Sequence, residues 1–190
     1  MILKGFTLKR DAMPGTYPLT HVVHGLANSP AIQTLFPEAG KLDEILKSTT
    51  VTVVAGKGFM RVDSDGKILV AEEHLKSSDE KVVYLDFVHE LVHVKQAREG
   101  RSIFDRSICY VDKDTEVEAY TITIAEGRRI GMGENELGDY LDVPWITGEE
   151  FKRLKKKLGV FAQQIISRSP ASARSQSSRI LSPIPKVPQR

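Results

Sequence analysis

His89-Glu90-Leu91-Val92-His93 constrains this chain more than any other stretch, because an HExxH segment has a chemical use only on a helix. There the two histidines stand at i and i+4, so both imidazoles project from one face. Glu90 lies beside that face and can reach a water on a shared metal without being a ligand itself. The pattern predicts zinc (Zn2+) bound by His89 and His93, with Glu90 as the general base. The alternative is a core helix that happens to hold two histidines. It would bury two imidazoles and a carboxylate without a shared partner, which is costly.

The surroundings predict the helix. Ser77 and Glu80 stand at capping-box spacing, with acidic residues where a helix N-terminus favours them. Val82, Val83, Leu85, Val88, Leu91, Val92 and Val94 keep an apolar character, and Gly100 supplies a stop after Arg98. That makes about five turns, with the histidines in the third or fourth. Asp86, one turn before His89, could orient an imidazole or be a polar exit from the helix.

Catalytic zinc takes three protein ligands and leaves a fourth position for water. The third must come from elsewhere, and Asp112-Lys113-Asp114-Thr115-Glu116-Val117-Glu118-Ala119-Tyr120 is the best source. It opens a second helix, running to about Arg129 and broken by Gly131 and Gly133. Glu116 and Glu118 are about 200° apart around a helix, so only one can face the metal. Thr115 and Glu118 have capping-box spacing, which leaves Glu116 as the predicted ligand and Glu118 as the alternative. His74 is a rival, read here as an ordinary strand-end histidine. His21 and His24, at i and i+3, lack an acidic or cysteine companion nearby and are not assigned to metal.

HELVHVKQ followed by TEVEAY resembles the compact gluzincins, zinc peptidases whose third ligand is a glutamate on a second helix. It is similar to the peptidase-like core found with extracellular contractile injection systems, and more distantly to ImmA/IrrE-like regulators. The resemblance covers roughly residues 51–129. In the wider clan the ligand is the first glutamate of an E-x-x-A pattern, here Glu116 with Ala119. Many clan members carry Asp or Asn four residues after the ligand, where it orients a zinc histidine. Tyr120 stands there in this chain, and a phenol can donate a hydrogen bond but carries no charge. The resemblance implies an α+β, zincin-like fold, with a small antiparallel or mixed sheet packed on the HExxH helix and on the second, glutamate-bearing helix. It implies hydrolysis of a peptide or protein substrate, and Tyr110 is the candidate oxyanion donor, its other role being packing.

The strands fit this picture. Thr50-Val51-Thr52-Val53-Val54 is β-branched throughout, Gly56 and Gly58 break it before Phe59–Val62, and Lys67–Ala71 leaves the Asp63–Gly66 turn as another strand. In zinc peptidases of this architecture the strand just before the active-site helix is commonly the sheet edge, where an extended peptide can add. A plain scaffold sheet is the other reading. With 190 residues, 41% of them hydrophobic, the chain can bury one core, which predicts one domain over 1–166 with its motifs in 51–130. From 167 to 190 it turns to Ser, Pro and Arg, the composition of a disordered basic tail.

Lys and Arg number 27 against 25 Asp and Glu, a balance that argues against nucleic acid as a partner. No apolar run is long enough to span a bilayer, and the first residues lack a secretory h-region, so a cytoplasmic location is expected. The single cysteine precludes an internal disulfide framework. Thr147 and Glu150 form a capping box leading into a helix with a basic, solvated face. The alternative to a peptidase is a catalytically weak zincin-fold regulatory or binding module with a structural zinc and a basic tail. An intact Glu90 weighs against it, since a structural site needs no base.

Overall fold

In a computed structural model of the protein, which describes residues 4–38 and 40–161, helices dominate and flank two small sheets. The N-terminal part holds β1 (Thr7–Leu8), β2 (Gly15–Pro18), α1 (Leu19–Val22), β3 (Val23–His24), α2 (Pro30–Leu35) and α3 (Lys41–Ser48). The middle holds β4 (Thr50–Val54), β5 (Met60–Val62), β6 (Ile68–Ala71), α4 (Glu72–Ser77) and α5 (Glu80–Arg98). Then come α6 (Asp114–Arg129), α7 (Glu134–Leu141) and α8 (Gly148–Leu158). The class is α+β. The expected basic tail, residues 167–190, lies outside the described residues.

The main sheet is mixed, in the order β2-β4-β6-β5, while β1 and β3 form a separate antiparallel pair. The β5–β6 hairpin is antiparallel, Met60 opposite Val70, and its turn is held by Asp63 Oδ1, which accepts from the N–H groups of Asp65 and Lys67 at 2.9 Å. β6, however, also pairs with β4 in parallel, Val51 opposite Ile68. β6 is therefore internal, and β5 forms the edge, packed against α5, contrary to the expectation for the last strand before that helix. The reason is composition. Ile68-Leu69-Val70-Ala71 is an unbroken apolar run suited to the centre of a sheet, whereas β5 carries the exposed Arg61 and suits an edge.

α5 is the spine of the molecule. Tyr84, Leu85, Phe87, Val88, Leu91 and Val92 are fully buried, so the helix is covered on nearly every face, packing along α6 and against β5 and α2. Its start differs from the Ser77–Glu80 capping box. Ser77 ends the short helix α4, and Asp79 caps α5 instead, its Oδ1 accepting from Lys81 N–H at 2.8 Å. Asp is as good a cap as Ser, and the local pattern did not distinguish them. His74 accordingly lies in α4 and not at a strand end. At the other end Gly100 takes the left-handed conformation, φ +74°, and closes the helix as expected.

α6 lies close to its neighbours because of Gly127. A Cβ there would meet Leu137 Cδ2 at 2.6 Å and Leu85 Cδ1 at 3.2 Å, so glycine lets α6 approach both α7 and α5. A buried polar knot joins the same helices. Tyr84 Oη donates its proton to Glu126 and lies 2.8 Å from the Ser29 hydroxyl, and the Glu126 carboxylate also takes a two-pronged contact from Arg129 at 2.6 and 2.7 Å. The Thr147–Glu150 capping box is present at the head of α8. No helix among the described residues is long and apolar enough to cross a membrane.

Candidate metal centre and active site

His89 and His93 fall in the well-packed third quarter of α5, and Glu116 falls in the first turn of α6, where the two helices run together. The three side chains converge. Their ligating atoms lie within 4.8 Å of one another, and all three residues are buried. The Nε2 atoms of the two histidines are 3.0 Å apart, and each is 3.5 Å from Glu116 Oε2. Glu116 Oε2 is buried and makes no hydrogen bond among the described residues. A carboxylate oxygen left without a donor beside two imidazole nitrogens is expensive in the protein alone, and a cation among the three satisfies all of them. The residues therefore fit a metal ion.

The electrostatics agree. Burial would raise the Glu116 carboxyl, but the two imidazoles beside it hold it well below the usual glutamate range. Burial would lower His93, yet Glu116, Glu90 and Gln96 together lift it to about 9. Glu90 is buried next to the pair, and desolvation raises its carboxyl against the opposing pull of both histidines.

Gln96 was not singled out from the sequence, and it locks His93. Its Nε2 donates to Thr115 O and to Glu118 Oε2, both at 3.0 Å, so its Oε1 must face His93 Nδ1 at 2.7 Å. His93 then carries its proton on Nδ1 and leaves Nε2 free for a metal. The signal was its place three residues after His93, on the same helical face. Glu118 corrects the capping expectation. Lys113 is the N-cap of α6 without a side-chain bond, and Glu118 pairs with Arg101 and Gln96. It is a link behind His93, pointing away from the ligand cluster.

Tyr120 does not do for His89 what an Asp or Asn would. Its ring packs edge-on against the His89 ring, centroids 4.5 Å apart, and its hydroxyl meets that of Tyr110 at 3.1 Å. His89 Nδ1 has no hydrogen-bond partner among the described residues. Asp86 does orient an imidazole, but that of His74, whose Nε2 is 2.6 Å from Asp86 Oδ2 and whose Nδ1 is 2.8 Å from Ser78 Oγ. Tyr140 donates to the other Asp86 oxygen at 2.9 Å. His21 stacks on Tyr17, away from the cluster.

The cluster opens into a cleft of about 1060 Å³ whose lining includes β5, His74, Glu90, Tyr110, Tyr120 and Trp145. Tyr110, in a single 3-10 turn at Tyr110–Asp112, is held protonated by burial with Tyr120 and Glu116 beside it, its pKa raised well above the usual tyrosine range. Comparison of the chain with protein-family models, with curated proteins and with solved structures found no match. The functional reading therefore rests on the chemistry of the cleft.

Proposed function

We propose that this protein is a zinc-dependent metallopeptidase of the compact gluzincin kind, with a zincin-like arrangement of sheet, HExxH helix and glutamate-bearing helix. One observation carries the reading: His89, His93 and the unpaired Glu116 oxygen converge at the base of a large cleft, with Glu90 beside them. Two histidines and a glutamate are a donor set that suits catalytic zinc. When bound, zinc supplies Lewis acidity, lowering the pKa of a water and polarising a substrate carbonyl.

The protein's own groups do the rest. Glu90 accepts a proton from the attacking water and hands it to the leaving amine. Tyr110 Oη donates to the oxygen on which charge develops, while the Tyr120 hydroxyl steers it. Gln96, backed by Glu118 and Arg101, keeps the His93 tautomer. The free edge of β5 offers backbone groups to an extended peptide.

The test is a zinc measurement by atomic emission joined to a proteome-derived peptide cleavage profile, with wild type beside Glu90→Gln. One zinc in both proteins, with cleavage in the wild type alone, is the expected result. Zinc in both and cleavage in neither would identify a metal-bearing binding module instead. Absence of stoichiometric zinc from wild type would overturn the reading.

A further inference from the structure

Large apolar side chains left exposed in a folded protein are ordinary when scattered and informative when gathered. Among the described residues, seven are exposed, and Val54, Phe59, Phe104 and Trp145 of these line the one cleft that also holds the ligand cluster. Phe59 and Trp145 are 51% and 49% exposed, yet they are ordered against each other, edge to face, with ring centroids 5.1 Å apart. The ring contacts continue inward. Trp145 meets Tyr110 at 6.1 Å, Tyr110 meets Tyr120 at 6.3 Å, and Tyr120 meets His89. An unbroken aromatic wall thus leads from the mouth of the cleft to a ligand histidine.

Charge along the same elements adds a second constraint. Lys57 and Arg61, in and just before the β5 edge, and Arg106, near Phe104, also line the cleft. None of these three side chains makes a hydrogen bond or ion pair among the described residues. Lys113, the N-cap of α6, lines the cleft too, and its side chain makes no hydrogen bond or ion pair among the described residues, whereas Arg153 and Lys157 both bind Asp112. Of the acidic liners, Glu116 belongs to the ligand cluster with Glu90 beside it, Asp79 caps α5, Asp86 holds His74 and Tyr140, and Glu136 is taken by Lys81. Asp139 and Asp142 lie on α7 and its C-terminal end, a different element from the β5 cations.

We propose that the cleft selects peptides bearing a bulky apolar side chain, seated on Phe59 and Trp145, with at least one acidic neighbour met by Lys57, Arg61 or Arg106. The inference rests on the peptidase reading for its context and names the substrate class of that same site. The wall supplies burial for one large side chain, and its rigid rings lose little freedom on binding. The unpaired cations supply the discrimination, attracting acidic flanks and repelling basic ones.

Trp145 is the single tryptophan of the chain, so its fluorescence reports on this wall and on nothing else. The experiment titrates full-length, zinc-loaded Glu90→Gln protein with capped octapeptides free of Trp and Tyr, exciting at the tryptophan edge. One peptide has a central Phe between Asp and Glu residues, one has the Phe between lysines, and one has Ala in the acidic frame. The acidic Phe peptide should blue-shift Trp145 emission saturably. The Ala peptide should bind about tenfold or more weaker, the loss expected for one unburied aromatic side chain. The lysine-flanked peptide should also bind weaker, by about tenfold at low salt and less as salt screens the cations. Phe59→Ala should weaken the acidic Phe peptide while keeping its advantage over the lysine peptide, and Lys57→Glu with Arg61→Glu should remove that advantage. No saturable shift with the acidic Phe peptide, or equal binding of the acidic and basic peptides, would overturn the proposal. Zinc content and wild-type cleavage, measured separately, show whether the peptidase reading stands in either case.

Discussion

Gln96→Leu tests whether the residues behind His93 set the metal site, and its effect can be worked from the contacts. Gln96 is fully buried, and leucine has nearly its shape without its polar atoms. The change removes three hydrogen bonds, to His93 Nδ1, Thr115 O and Glu118 Oε2. Two of the former partners keep company, since Glu118 retains Arg101 and Thr115 O sits in the first turn of α6. His93 Nδ1–H does not, and a buried donor left alone costs about 1–3 kcal/mol. Loss of the group that fixes a ligand imidazole lowers metal affinity by about 10–100-fold, equivalent to about 1.4–2.7 kcal/mol. Competition against a chromogenic chelator measures the affinity, and urea denaturation of the metal-free protein measures the stability. The exchange Gln96→Glu with Glu118→Gln keeps one carboxylate behind His93 and should recover most of the loss. Gln96→Glu alone places two carboxylates in contact and should not. A folded Gln96→Leu protein that binds zinc as tightly as wild type would refute the reasoning.

Four other outcomes are expected. His93→Ala should lose stoichiometric zinc, and full occupancy by atomic emission would remove the metal assignment. Glu116→Ala should lower zinc affinity by orders of magnitude and Glu118→Ala by about tenfold, being one link further back; the opposite order in the chelator titration would exchange their roles. Tyr110→Phe should lower kcat about a hundredfold with zinc content unchanged, and an unaltered kcat would return Tyr110 to packing. Glu126→Gln should destabilise the fold by about 1–3 kcal/mol at neutral pH. Burial would raise the Glu126 carboxyl, but Arg129 and Tyr84 hold it low, so the stability it adds is present above the ordinary glutamate pKa and lost as pH falls through its folded value. The gap in urea midpoint between wild type and Glu126→Gln should therefore close as pH drops below about 4; a gap that widens would contradict that sign.

Local chemistry alone determined several features of this protein. The i, i+4 spacing of His89 and His93 sets their common face on any helix, and the apolar run with Gly100 at its end sets where that helix stops. The β-branched run at Thr50–Val54, the Asp63–Gly66 turn and the Thr147–Glu150 box are decided within a few residues of themselves. Glu116 was legible because only one of two glutamates on a helix can face a given point, although the argument for it, a cap made by Glu118, was not how the chain solves the problem. The class α+β was equally open to view.

Partners distant in sequence were not. Asp79 displaced Ser77 as the cap because α4 had already taken Ser77, and that helix exists through its packing after β6. The apolar run of β6 suits the centre of a sheet, but that β4 pairs with it in parallel and leaves β5 at the edge is decided by strands brought together in the assembled layers. Gln96 finds Glu118, Asp86 finds His74 and Tyr140, and Trp145 joins Phe59 only once α5, α6 and α7 stand together. Hydrogen bonds and ring contacts act over a few ångströms in space, and a chain written in one dimension leaves those distances to tertiary packing.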